Sequence, residues 1–412
     1  MKNYKMLLVA AMATLAGFAS CSDDDKSTPV NDLKVSITMP LTVENAELVS
    51  GTLKATNVAT SKVYSQDTIE NNTLTLRSLP VGVYNLDFEG KVKYNISIND
   101  TTAAGTLATV KQSVSNYAVT ESATHQANTE TMALEIYNAK EGLLITEIFF
   151  TGTLTEEGKQ YIDDQYLKVG NNSDDTLYLD GVAFVQSDFL TTDKQDYTPD
   201  LMEDAMTINS IYLFPGNGQD YPIAPGEEVL LAVNAIDHTE ANPLSFDLSI
   251  ADFEINNESS ETEVVDPNNQ NVPDMIIWYQ ESKSVFVMHN RGFMAYALAK
   301  PEITKEEFLA NNFYTYYYKF VFGERSFDMD GDAYILPNAW VIDAVNLSVE
   351  AVYEWNVTSA TLDAGWSYCG KTNGDKNRYN KSVIRKKSGN KWVDTNNSTN
   401  DFEPEAKASM LK

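Results

Sequence analysis

Asp328, Asp330 and Asp332, set around Gly331, form the strongest metal-type pattern in this 412-residue chain. Alternate carboxylates about a glycine turn can converge on a hard cation, and Ca²⁺ takes roughly six to eight oxygens. The stretch lacks the sixth-position glycine and the distal glutamate of an EF-hand loop, so a solvated acidic loop explains it more simply. No metal and no cofactor is assigned to it. Catalysis by proton transfer would draw first on His125, His238 and His289, which are widely spaced and differ in local setting. Triads assemble in space, so spacing alone does not forbid one. There is, however, no G-x-S-x-G elbow and no H-E-x-x-H helix. Carboxylates are so abundant that a glycosidase-type pair is available by chance. The expectation is a chain with no catalytic residues, not an enzyme; a hydrolase of extracellular polymers using carboxylates in its insertions is the alternative.

Two other stretches have the chemistry of contact surfaces. Between Phe313 and Phe322 nearly every residue is aromatic. At a period of two, Tyr314, Tyr316, Tyr318, Phe320 and Phe322 share one strand face. That face is expected to pack into a core, which takes bulky β-formers. Thr315, Tyr317 and Lys319 then lie on the other face, with Tyr317 the candidate platform for a sugar or another planar ligand. From Lys371 to Lys391 the charge inverts: Lys371, Lys376, Arg378, Lys381, Arg385, Lys386, Lys387 and Lys391 meet only Asp375. Either this segment docks an anionic partner, or it is a hairpin whose positive tips balance nearby carboxylates.

Cys21 carries the sharpest signal. Lys2 and Lys5, an apolar run from Met6 to Leu15, and Phe18-Ala19-Ser20 precede it. A charged head, a short apolar core and small residues before a cut make a secretory signal peptide. A cysteine at the cut makes it a lipoprotein signal, with residues 1–20 removed and Cys21 lipidated. Each buried acyl CH₂ contributes about 0.8 kcal/mol, so several chains anchor stably. The apolar run is shorter than the roughly 20 residues needed to span a bilayer. Residues 21–32, polar and containing Asp23, Asp24, Asp25 and Pro29, read as a tether. Cys369 is then the one remaining cysteine, which rules out an internal disulfide and suggests a small buried hydrophobe. With 30 Lys and Arg against 59 Asp and Glu, the net charge is −29. That balance excludes nucleic acid as a partner and leaves membrane contact to the lipid on Cys21.

The elements that must position these residues are strands, giving an all-β fold of two β-sandwiches. Residues 33–138 form the first block, where Leu33–Thr38 and Thr73–Arg77 alternate apolar and polar. Ser78-Leu79-Pro80-Val81-Gly82 turns into Val83–Phe88. The second block, 139–412, opens on the continuous apolar run Leu143–Phe150. Expected strands follow at Gln165–Val169, Thr176–Gly181, Val229–Val233, Ser284–Met288, Ala339–Val345 and Lys381–Arg385, with insertions about 186–210, 234–274 and 301–338. The turn-rich residues 138–142 mark the boundary. Helix is scarce; Thr304 and Glu307 fit a capping box before a short one.

The strand-LPxGxY-strand pattern about Leu79-Pro80 and Gly82-Val83-Tyr84 resembles transthyretin-like, carboxypeptidase-regulatory-type sandwiches, which implies a spacer or docking module. The order Ile145-Thr146-Glu147, Asn171-Asn172-Ser173, Leu179-Asp180-Gly181, Pro225-Gly226-Glu227, Val341–Val345, Ser382 to Arg385 and Asp394–Phe402 resembles the lamin-tail immunoglobulin-like sandwich. The Asp run after Cys21 resembles the export tag of Bacteroidetes surface lipoproteins, and the whole layout resembles an uncharacterised family of Bacteroidales lipoproteins. These resemblances imply display on the outer membrane's surface and a non-enzymatic binding or interaction role. The partner would be a small ligand or an outer-membrane protein, by analogy a transporter; a structural part in a surface assembly is a further alternative.

Overall fold

The computed structural model describes residues 29–40, 45–98, 101–124, 126–136, 142–256 and 266–411. Cys21, the signal peptide, the acidic run Asp23–Asp25, His125 and most of the boundary at 138–142 lie outside the described residues. The fold is all-β, as the alternation predicts.

The first sandwich pairs a three-stranded sheet with a five-stranded one. In the smaller sheet Val30–Thr38 is central, antiparallel to Thr73–Pro80 and parallel to Asn128–Ala133. This strand starts at Val30, inside the expected tether, where Asn31 donates to the carbonyls of Thr120 and Gln126. The larger sheet is built on Glu47–Asn57, Gly82–Ile98 and Thr101–Val119. Leu33, Val35, Leu53, Leu74, Leu86 and Phe88 fill the space between the sheets. These are the alternate residues of each strand, so period-two patterning and burial agree.

In the second block, a six-stranded sheet is centred on Tyr166–Asn171, Leu143–Phe149 and Lys381–Arg385. It faces a larger sheet that runs through Arg325–Pro337, Ala205–Leu213, Ala183–Ser187, Ala295–Ala299 and Val341–Ser348. Ile145, Ile148, Leu167, Phe184, Tyr296 and Val345 meet in the core between them, with Cys369 fully buried among them. Both outer faces are also covered. Phe308, Trp340 and Trp355 lie over the larger sheet, and Phe246 and Leu248 over the smaller. The insertions therefore become outer layers, which is why nearly every residue of Leu143–Phe149 and Ala183–Ser187 is buried on both faces.

Two expected elements differ. Thr176–Gly181 shrinks to the two-residue strand Leu177–Tyr178. Ser284–Met288 joins no sheet; Gln165 takes up its backbone, accepting from Met288 N at 2.8 Å and donating to Met288 O at 2.9 Å. Phe286 and Met288 still reach the core. The short helix Lys305–Asn311 has the expected capping box between Thr304 and Glu307.

The sandwiches are docked rather than strung apart. Trp340 Nε1 donates to Leu107 O at 2.8 Å, and Glu302 accepts from Thr109 while pairing with Lys91 at 2.8 Å. Leu201, Ala205, Tyr314 and Ile335 of the second block join the first block's apolar cluster.

Candidate functional site: an aromatic cleft and a projecting hairpin

The loop after strand Ala183–Ser187 is tied down residue by residue. Trp355 Nε1 donates to Leu190 O at 2.8 Å, Thr191 Oγ1 to Leu347 O at 2.7 Å, and Glu354 N to Thr191 O at 2.9 Å. Further on, Thr198 exchanges two backbone bonds with Tyr317, at 2.8 and 2.9 Å. This double tether holds three aromatics from distant sequence together. Phe189 and Tyr197 stack with centroids 3.8 Å apart and planes 8° from parallel. Trp355 lies 6.1 Å from Tyr197, and Tyr316 meets the edges of Phe189 and Tyr197 at 5.0 and 5.4 Å.

Phe189, Tyr197 and Trp355 line a cleft of about 280 Å³, together with Lys194, Asp196 and Met202. That volume is at the small end of ligand clefts, which run roughly 300–1,000 Å³. Apolar ring faces with a few charged groups alongside suit a small ligand that has one flat face and hydrogen-bonding edges. Behind the rings, Tyr316 Oη donates to Asp188 Oδ2 at 2.8 Å. Burial pushes the Asp188 carboxyl up to about 6, against the downward pull of that hydroxyl.

The folded-state value lies above the unfolded carboxyl value of about 4, so the folded state keeps a proton that the unfolded chain releases. Stability from this group is therefore greatest below about pH 4 and falls as pH rises toward 6. Asp188→Asn should flatten that part of the profile, read as urea midpoints across the same range. Burial raises Asp164 to about 6 as well, so the decline should shrink rather than vanish.

From the cleft, the strands Phe313–Phe322 and Arg325–Pro337 continue outward as a hairpin. Tyr314, at its base, is 3 % exposed, but Phe320 is 40 % and Phe322 72 % exposed. The expectation that the whole even-numbered face is core thus holds only at the base, because the hairpin outruns the sandwich beneath it. Phe320→Ala should accordingly cost little stability. Tyr317 lies on the opposite face and is 51 % exposed, as the alternation predicts.

Asp328, Asp330 and Asp332 are not a loop but alternate residues of the second hairpin strand. They sit opposite Lys319, Tyr317 and Thr315. Lys319 pairs with Asp328 at 3.3 Å, and Thr315 Oγ1 donates to Asp332 at 2.6 Å. Strung along an extended strand, they do not converge, and no metal-capable group of three or more acidic, His or Cys side chains occurs among the described residues. Gly331 is needed for packing: a Cβ there would fall 2.4 Å from the Tyr316 ring.

Two histidines are engaged structurally. His238 bonds Tyr161 Oη at 2.8 Å through Nδ1 and Asn234 O at 2.9 Å through Nε2. His289 Nδ1 accepts from Phe293 N at 3.2 Å, and burial with Arg291 and Arg378 nearby pushes it down to about 4. Cys369 is fully buried, and that burial pushes its thiol up and favours the protonated form.

The basic segment does not form one surface. Arg385 is buried, with Nη2 bonding both oxygens of Asp343 at 2.8 and 2.6 Å. Arg378 donates to Asp375 O at 2.7 Å, Lys386 to Asn400 O at 2.9 Å, and Lys391 to Asp174 at 2.7 Å. The expected balance of positive tips by carboxylates describes Arg385 with Asp343 and Lys391 with Asp174, whereas Arg378 and Lys386 turn to backbone carbonyls. Phe189, Tyr197 and Trp355 were not legible as a set, since only the loop crossing beneath the hairpin brings them together.

A family profile described as a protein of unknown function, DUF4876, matches residues 224–409, somewhat under half of the chain. A solved DUF4876 family protein of Bacteroides thetaiotaomicron is similar in fold, with 21 % identity and a TM-score of 0.53 over 93 % of this chain and 98 % of that one. A protein of Bacteroides ovatus, provisionally titled an adhesin, aligns at 8 % identity and a TM-score of 0.20 over 77 % of this chain and 88 % of its own. A cell adhesion protein of Parabacteroides distasonis, provisional by its title too, aligns at 10 % identity and 0.18, over 75 % and 84 %. No curated protein matches the sequence.

Proposed function

We propose that the chain is a non-enzymatic binding protein, anchored by lipid on Cys21 at the outer cell surface, that holds a ring-faced ligand in the aromatic cleft. The observation that carries this reading is the set Phe189, Tyr197 and Trp355, gathered around an open cavity beside exposed carboxylates. The described histidines support it from the other side: His238 has both ring nitrogens bonded in packing, and His289 is buried with Nδ1 accepting from Phe293 N. Surface display rests on the signal before Cys21 and on Asp23, Asp24 and Asp25.

The cleft is tested by titrating the purified chain with a panel of soluble polysaccharides and their free sugars. Stacking on one aromatic contributes about 0.5–1.5 kcal/mol, so Tyr197→Ala should weaken binding about two- to twelvefold. Steady turnover of any of these polymers would instead establish the hydrolase. For the anchor, Cys21→Ala should abolish acyl labelling. Replacing Asp23, Asp24 and Asp25 by Ala should keep the label yet lose protease accessibility on intact cells; unchanged accessibility would sink surface export by that tag.

A further inference from the structure

The hairpin Phe313–Pro337 has a second property, independent of the cleft. Tyr317 points both its N–H and its C=O at Thr198, outward from the partner strand Arg325–Pro337. Backbone direction alternates along a strand, so Lys319 and Val321 point their N–H and C=O outward on that same edge. Neither has a backbone partner there among the described residues. The edge is thus closed once, by Thr198, and open beyond it. Its free groups recur at roughly 6.6 Å, the repeat of an extended chain, which another polypeptide backbone matches.

Side chains narrow the occupant further. Phe320 (40 % exposed), Phe322 (72 %), Phe327 (45 %) and Met329 (40 %) form one apolar face of the tip, and Val321 (64 %) lies on the other. Those side chains offer no hydroxyl or amide to a sugar. The hairpin itself carries Glu324, Asp328, Asp330 and Asp332, and the cleft loop, which joins it at Thr198 and Tyr317, carries Asp193, Asp196 and Asp200. Lys319, Arg325 and Lys194 are the only bases of those segments, and Lys319 is already paired with Asp328. An acidic rim repels anionic lipid, and a second copy of this chain would bring the same rim and another net charge of −29.

We propose that the open edge from Lys319 to Phe322 is a docking strand for a partner protein, which adds an extended segment of apolar residues alternating with lysine or arginine. The partner's amide groups bond Lys319 and Val321, its apolar side chains cover Phe320 and Phe322, and its bases meet the acidic rim.

The test pans a displayed library of random ten-residue peptides against the purified full-length chain. Enriched peptides should alternate apolar and basic residues, and their affinity should fall with salt. Val321→Pro removes one outward N–H without touching the hairpin ladder, a placement that edge strands tolerate. It should keep the unfolding midpoint and weaken the enriched peptides about tenfold. Phe320→Ser with Phe322→Ser should weaken them as much, and stands as the test should Val321→Pro misfold. Four results would overturn the proposal: no enrichment, enriched peptides without alternation or base, affinity indifferent to both variants, or a concentration-dependent dimer that Phe320→Ser with Phe322→Ser dissolves. Tip-dependent binding to phosphatidylglycerol vesicles would overturn it in favour of lipid. Because panning uses neither the anchor nor a cleft ligand, failure here leaves the surface-binding reading standing, and the converse.

Discussion

Arg385→Ala is expected to destabilise the second sandwich by about 3–5 kcal/mol, because it strands a buried carboxylate. Asp343 is 6 % exposed, and its only cationic partner among the described residues is the Arg385 guanidinium, which bonds both its oxygens. Arg385 also donates to Ile145 O at 2.8 Å and Val393 O at 3.1 Å, and lies over the Phe402 ring at 4.5 Å. One side chain therefore joins three strands of the smaller sheet to Val341–Ser348 of the larger. Arg385→Lys should be intermediate, since an ammonium cannot reproduce the fork. Arg385→Met with Asp343→Leu should cost less than Arg385→Ala alone, because the Asp343 charge leaves with its partner and, of the buried carboxylates, only Asp401, 3.6 Å from the guanidinium, loses its base. All five tryptophans lie in the second block, so urea unfolding followed by their fluorescence reports on it directly. A cost below about 1 kcal/mol for Arg385→Ala would show the pair to be solvated after all.

That result bears on how much the sequence could disclose. Val35, Leu74 and Leu86 are buried as their alternation implies, and Thr304 caps its helix with Glu307. Local rules sufficed there, since neighbours along the chain decide the outcome. The aromatic run shows where they stop sufficing. Period two tells which of Tyr314 to Phe322 share a face, but whether anything lies under that face depends on how far the sandwich extends. Asp328 to Asp332 went astray for a related reason. Aspartate and glycine disfavour strands, and the aromatic strand across the hairpin overrides them, so the acids line a strand face. The residues that carry the lamin-tail-like resemblance turn out to include Asp343, Arg385 and Asp401, which meet in one buried cluster. Arg385 belonged to the basic segment that offered a docking surface, yet burial gives it a structural role. The cleft left no local trace, because Tyr197 and Trp355 belong to separate loops.

The second large effect is expected at a residue that no pattern singled out. Asp363 is fully buried and accepts five hydrogen bonds. Asn346 donates from its backbone at 2.8 Å and its side chain at 3.0 Å, and Gly365 N donates at 3.0 Å. Ser398 donates from N at 2.8 Å and from Oγ at 2.7 Å. One carboxylate thus fastens the end of Val341–Ser348 to the short helix Ser398–Asp401. Asp363→Ala leaves all these donors facing a cavity, and each unsatisfied buried donor costs about 1–3 kcal/mol before water relaxes it. Relaxation keeps the sum from being additive, and a loss of about 3–5 kcal/mol is expected. Asp363→Asn separates shape from chemistry. It fills the same space, but turns one acceptor into a donor aimed at other donors, so it should recover only part of the loss. Full recovery by asparagine would mean that volume, not the carboxylate's acceptors, holds this corner together. Asp363 and Arg385 share no hydrogen-bond partner, so Asp363→Ala with Arg385→Ala should lose the two costs nearly additively, unless the Ser398–Asp401 helix couples them.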